Sequence, residues 1–366
     1  MPANLAGPRR FFASRHAVAY WLFAVAAIVV CMVTLGGLTR LTGSGLSITE
    51  WDPIMGAIPP LSDRAWHDAF AKYQRIPQYR LEHSGMTLEG FQAIFWWEWT
   101  HRLLGRLLGI AFFVPFVAFA WTGVIARRDW ARMALLFGLG ALQGFVGWWM
   151  VMSGLETRVS VSQYRLAIHL GVAILLLGAI LWTALEYLRG SSGRTSGKAE
   201  APKMLRIGGL AVVALIYIQM LLGALVAGLH AGLIYNTWPS MDGRLLPENP
   251  FSVTPWWRSF FENPGLVQFD HRMAAYVVFA LALVFLLRVR SMKPSAQAMN
   301  ASGAVAFLVV FQVALGIVTL LAQAPLELAA AHQLTAALLF SAAIWLVFEL
   351  HLGGELKPPT PDRDRQ

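Results

Sequence analysis

The sequence predicts an all-α integral membrane protein: eight transmembrane helices forming two four-helix bundles related by a pseudo-twofold axis along the membrane normal. Three observations lead there. Apolar residues make up 57% of the 366 positions and charged residues only 13%, with a mean hydropathy of +0.55, a balance that a water-soluble chain of this length does not tolerate. Eight apolar runs are each long enough to cross a hydrocarbon core about 30 Å thick. Motifs of the first half also recur, in order, in the second.

The runs fall near residues 17–38, 103–126, 131–152, 165–187, 206–228, 271–290, 302–322 and 328–350. Before the first, residues 1–16 carry Arg9, Arg10 and Arg15 without an acid, which reads as a cytoplasmic arm ahead of a retained helix. The formal net charge is +9. Its lysines and arginines concentrate in the arm, around Arg127-Arg128, from Arg189 to Arg206, from Arg288 to Lys293 and in the tail 352–366. All these segments share one side, so the charge reports topology, with both termini cytoplasmic, and implies no nucleic-acid partner. Cys31 is the single cysteine, which excludes an intrachain disulfide and leaves any metal to histidine or carboxylate.

The expected units are an N-terminal bundle over 17–189, a Gly/Ser/Lys-rich cytoplasmic linker over 190–205 and a C-terminal bundle over 206–351. Two long connections lie outside. In the first, about 39–100, a helix capped by Ser62 or Asp63 places Trp66, Phe70 and Tyr73 on one side, suited to lie on the membrane or to lid the bundle. A second helical pattern starts after Thr87 and runs unbroken through Glu98 and His101 into the second span.

The repeat pairs Gly36-Gly37-Leu38 with Gly223-Ala224-Leu225, and Trp51 to Gly56 with Trp238 to Gly243. It also pairs Glu98-Trp99-Thr100-His101-Arg102 with Gln268-Phe269-Asp270-His271-Arg272, Gln143-Gly144-Phe145-Val146-Gly147 with Gln312-Val313-Ala314-Leu315-Gly316, and His169 with His332. Four histidines, His101, His169, His271 and His332, therefore sit at similar depth near the outer ends of the even-numbered helices. Facing imidazoles in a bundle supply the axial ligands of a haem, whereas one such histidine alone is more often an interfacial hydrogen-bonder. His230, just beyond span five, has no partner in the first half.

Three residues separate Glu98 from His101, close to one helical turn, so both address one bound object or both sit at the membrane interface. Arg102 and Arg272 each follow a histidine; the same fork anchors to lipid headgroups or, beside a haem, pairs with a propionate. The halves differ at one titratable position, Glu98 against Gln268. That difference assigns reaction chemistry to the first bundle and an electron-transfer or structural haem to the second.

Taken together, the eight spans, the two repeats, the histidine pairs, the Glu98-x-x-His101-Arg102 signature and the long first outer loop resemble haem A synthase, a family of membrane enzymes that convert haem O to haem A for cytochrome oxidase. The resemblance implies a haem b cofactor, with its iron between His271 and His332, and substrate haem O between His101 and His169. It implies that Glu98 is required as the porphyrin C8 methyl is oxidised to a formyl group by successive hydroxylations. It further implies a bacterial inner-membrane location with the haem sites near the outer face, contact with haem O synthase and cytochrome oxidase assembly factors, and compatibility with a homo-oligomer. Some members carry a cysteine pair in the first outer loop; this chain has none and resembles the cysteine-free alphaproteobacterial and mitochondrial branch. A di-haem cytochrome b oxidising a quinol would use the same four histidines, but Glu98 against Gln268 and the lid-like loop argue against it. A transporter with parallel repeats would place its polar groups at midplane, whereas here they cluster toward one face.

Overall fold

The computed structural model describes residues 14–52, 54–156, 158–190 and 201–352. Most of the expected arm and linker, and nearly all of the expected tail, lie outside the described residues. Among those described, helices dominate and the one β-bridge joins Met241 to Arg244.

Eight helices are long and apolar enough to cross a membrane. They are α1 (Arg15–Leu41), α2 (Leu88–Trp121), α3 (Trp130–Leu155), α4 (Gln163–Arg189), α5 (Lys203–Gly228), α6 (Pro264–Met292), α7 (Ala296–Leu321) and α8 (Leu326–Leu352). In hydrocarbon every backbone group must be satisfied within its own segment, which is why apolar runs of this length become helices. The chain is an integral membrane protein.

Helix ends follow local chemistry. Thr87 caps α2, its hydroxyl accepting from the Gly90 N–H at 3.2 Å, so α2 projects beyond its apolar run as the sequence pattern predicts. At the inner end the expected span overshoots: α2 stops at Trp121, because Gly123 turns to φ +73° and the Ile125 N–H bonds back to the Phe119 carbonyl at 3.1 Å. Asn263 caps α6 by accepting from the Leu266 N–H at 3.0 Å, with Pro264 in the first turn. Helix α6 thereby starts well before the expected residue 271.

Packing contacts close into two rings. In one, α1 touches α2, α2 touches α3, α3 touches α4 and α4 returns to α1; in the other, α5 to α8 repeat that order. The rings meet through α4 against α5, α8 against α1, and α4 against α8. Lipid is as apolar as the side chains, so close approach must come from small residues. A Cβ on Gly178 would lie 3.2 Å from Phe340, and one on Gly209 would lie 3.1 Å from Val347. At the C-terminal ends of α4 and α8, Arg189 reaches both oxygens of buried Glu349 at 2.5 Å, and Trp345 Nε1 donates to Glu349 at 3.1 Å.

Outside, the helix Asp63–Tyr73 is capped by Ser62 and lays Trp66, Phe70 and Tyr73 against Phe91 and Phe95 on the projecting part of α2. It covers that projection as a lid. Gln78 accepts from the buried Tyr73 hydroxyl at 3.1 Å and donates to the Gly43 carbonyl at 3.0 Å, tying the lid to the end of α1. His83 is half-buried with Nδ1 2.6 Å from the Tyr73 hydroxyl; burial pushes that hydroxyl's pKa up.

Glu349→Gln tests the Arg189–Glu349 tie between the rings. Arg189 keeps a solvent-facing part, so the loss is set nearer that of one unsatisfied buried group, about 1–3 kcal/mol, than that of a fully buried broken pair. A lowered thermal midpoint of the detergent-solubilised protein is expected; an unchanged midpoint contradicts the assignment.

Candidate functional site

Each of the four predicted histidines rests against a glycine on a neighbouring helix of its own ring. An added Cβ would stand 3.0 Å from His101 Cε1 at Gly36, 2.9 Å from His169 Cε1 at Gly147, 3.2 Å from His271 Cε1 at Gly223 and 2.8 Å from His332 Cε1 at Gly316. A side chain at Gly147 or Gly316 would force the ring to shift, and one at Gly36 or Gly223 would press it by a few tenths of an ångström. His101 and His169 lie within electrostatic range of each other, and so do His271 and His332, so each ring of helices brings one pair together.

Three of the imidazoles carry a second support that sequence reasoning did not identify. Gln143 Nε2 donates to the His169 carbonyl at 3.0 Å and lies 3.1 and 3.4 Å from the two ring nitrogens. Gln219 repeats this on His271 with 2.9, 3.1 and 3.4 Å, and Gln312 on His332 with 3.0, 3.2 and 3.3 Å. Near-equal distances to both nitrogens place each amide over the ring rather than in line with one lone pair, which leaves the ring edge clear. The signal was present in the repeat: Gln143 and Gln312 stand four residues before Gly147 and Gly316, and Gln219 four before Gly223. Four residues before Gly36 is Met32. His101 accordingly has a buried Nδ1 with no hydrogen-bond partner among the described residues.

Glu98 is buried, and its carboxylate is fully engaged. Ser47 Oγ and the Ile48 N–H donate to Oε2 at 2.8 Å each, while Arg102 Nε and Nη2 donate to Oε1 at 3.0 and 2.5 Å. Arg102 also holds the Ile48 carbonyl at 2.7 Å and the Glu50 carbonyl at 2.9 Å. The second half repeats the anchor in the same register. Arg272 donates to the Tyr235 carbonyl at 2.8 Å and the Thr237 carbonyl at 3.0 Å, and Gln268 Nε2 donates to Tyr235 at 3.0 Å. Both arginines thus clamp an outer loop onto its helix. Arg102 commits Nη1 and Nη2 to the loop and Nε to Glu98, whereas Arg272 Nε is buried without a partner among the described residues.

Two further groups gather where the rings meet. Gln333, next to His332, donates to the Val33 carbonyl at 2.7 Å and occupies the space over Gly37, so the adjacent Gly36 and Gly37 accommodate one side chain from each half. Arg40, not identified from sequence, has Nε and Nη2 buried without partners among the described residues. His230 has φ 52° and sits near it, its pKa lowered first by burial and then by the Arg40 charge. His16 and His67 are exposed and take no part in these clusters.

The family profile described as cytochrome oxidase assembly protein (COX15-CtaA) matches residues 19–344. The chain is 50% identical over 339 residues to a protein of Parvibaculum lavamentivorans named "Heme A synthase", covering 92% of this chain and 95% of that one. It is 51% identical over 325 residues to one of the same name from Rhodopseudomonas palustris, 88% of each chain. A third so named, from Nitrosospira multiformis, is 46% identical over 339 residues, 93% of this chain and 95% of its own.

The glycine seats can be tested directly. Gly316→Val forces a Cβ and two methyls into His332, a clash that side-chain adjustment alone does not absorb. Loss or weakening of the axial-ligand signature in the reduced haem spectrum is expected; a parental spectrum contradicts the seat.

Proposed function

The chain belongs to the cytochrome oxidase assembly protein family, and from that premise we infer that it is a membrane oxidoreductase converting haem O into haem A. The observation that carries this reading is one histidine pair in each ring of helices, with a carboxylate a helical turn away in only one of them. The N-terminal unit, 17–189, takes substrate haem O between His101 and His169. The C-terminal unit, 206–351, holds haem b between His271 and His332. A pseudo-twofold axis along the membrane normal relates the two, in keeping with the matching order of contacts in the rings and the shared register of their loop clamps.

The residues present fit these groups. The paired imidazoles are seated by glycines with ring edges clear of the glutamine amides, and His101 Nδ1 is an orphaned polar atom in a buried place. Haem b bound at His271 and His332 supplies one-electron transfer to or from the reacting site. Gln219 and Gln312 hold those imidazoles in place, and the free Nε of Arg272 is the donor best placed to meet a propionate. Arg102 would have to exchange loop partners to do the same.

Glu98 is the catalytic carboxylate in this reading. The C8 methyl loses electrons on its way to a formyl group, and a fixed negative charge a turn from His101 stabilises positive charge developing there or orients the attacking water. Arg102, Ser47 and Ile48 hold Glu98 in place beforehand, so no side-chain search is needed during reaction. The bacterial relatives support an inner-membrane location. There, with both termini cytoplasmic and the sites near the outer face, the chain would receive haem O from its synthase and deliver haem A to cytochrome oxidase assembly.

Glu98→Gln is expected to leave haem O or a hydroxylated intermediate on the protein and to cut haem A output about 100-fold, the scale of one lost electrostatic contact to a transition state. Mass identification of the extracted pigments reads this, and full haem A output refutes it. His271→Ala is expected to lose haem b; an unchanged haem b content would overturn the ligand assignment. Two retained haems b, with neither haem O nor haem A in extracts of the parent protein, would favour a di-haem cytochrome b instead.

A further inference from the structure

Beneath the first histidine pair, the N-terminal ring holds a cavity of about 230 Å³, apolar apart from Arg106 in its lining, that its own glycines help to form. Its lining on α2 runs from Gly105 to Phe112, about 10 Å along the helix at 1.5 Å per residue. His101 lies one turn above Gly105 on the same face, with Nδ1 buried and unpartnered. His169 lies above Leu176 and Ile180, which line the cavity from α4.

The wall between α2 and α3 is incomplete. A Cβ built on Gly109 of α2, or on Gly138, Gly140 or Gly144 of α3, would meet nothing within 4 Å. Phe137 and Ala141 line the cavity and are nonetheless exposed, so the cavity reaches the lipid-facing surface along this seam. At the inner end the seam is closed by Phe137, whose ring lies 6.1 Å from Phe112 and 5.3 Å from Phe113.

At the matching places the second ring carries side chains. In the register that pairs His101 with His271 and Gln143 with Gln312, Gly105 and Gly109 become Ala275 and Phe279, and Gly138, Gly140 and Gly144 become Phe307, Val309 and Val313. Val309 is 2% exposed, packed where Gly140 leaves space. Helix packing in lipid favours small residues where backbones touch, but the helices flanking these glycines do not close on them. The side chains are missing from one ring and present at matching places in the other.

We propose that the glycine-lined seam between α2 and α3 is a lateral opening through which the isoprenoid-bearing substrate porphyrin passes between the bilayer and the N-terminal ring, with its tail lodged in the cavity beneath His101 and His169. The proposal rests on the reading that haem O is bound in this half. A porphyrin carrying a long isoprenoid chain partitions into hydrocarbon, so a sideways entrance admits it without crossing the aqueous lid. The filled seam of the second ring retains its haem.

A block installed after folding tests this. In a Cys31→Ser background, Gly140→Cys is purified, reconstituted into nanodiscs and reacted with a bulky maleimide, and haem O association is followed by absorbance before and after labelling. Leu135→Cys, 63% exposed elsewhere on α3, serves as the labelled control. Labelling at 140 is expected to slow haem O association roughly tenfold or more, a change within the range seen when access is obstructed, while the spectrum of the haem at His271 and His332 and the control rate stay unchanged. Haem O association that depends on His169, as judged by His169→Ala, yet ignores the label at 140 would overturn the opening alone. Association that survives His169→Ala would overturn the underlying assignment of the substrate site.

Discussion

The contact on which the rest of the structure depends is an imidazole edge resting on a glycine of the next helix, made four times. It requires two helices to approach until a Cβ between ring and backbone would crowd the imidazole, which constrains both helix spacing and ring orientation. Gly36, Gly147, Gly223 and Gly316 therefore serve fold and site at once. The glutamine amides over three of the rings are a second layer on the same frame. Outer loops are then clamped above the histidines by Arg102 and Arg272, which hold carbonyls in matching register.

On that common frame the halves differ at a few positions, and each difference points the same way. Met32 stands where Gln219 braces its histidine, so His101 is the least restrained of the four. Glu98 stands where Gln268 provides only an amide. Glycines stand where the second ring carries Phe279, Val309 and Val313. A braced, closed site with no nearby carboxylate suits a resident group. A looser, open site with a buried ion pair beside it suits a substrate that must arrive, react and leave. Gln333, reaching from the neighbour of His332 to Gly37, is a direct physical link between the two.

Much of this was legible in the sequence. Span number, the projecting second helix, the Ser62-capped lid and the four histidines follow from hydropathy, capping residues and the repeat, all of them local or periodic signals. The inner end of α2 was misplaced because apolar residues continue past Gly123, and only the backbone turn there ends the helix. The engagement of Glu98 by Ser47 and Ile48, some 50 residues away, was hidden, since no local pattern encodes which loop carbonyls and amides fold back onto a helix. Gln143, Gln219 and Gln312 were visible as letters but carried no meaning until a ring was seen beneath each amide. The seam was equally hidden, because a glycine in a membrane helix usually marks contact and only coordinates reveal that these face open space.

The central claim is that two similar sites have opposite lifetimes for their haem. Exchange measures it: protein in nanodiscs carrying isotopically labelled haem b and haem O is chased with excess unlabelled pigments, and the label remaining on the protein is followed by mass over time. The account predicts that labelled haem O leaves while labelled haem b stays throughout the chase. Equal rates for both, or faster loss of haem b, would contradict it.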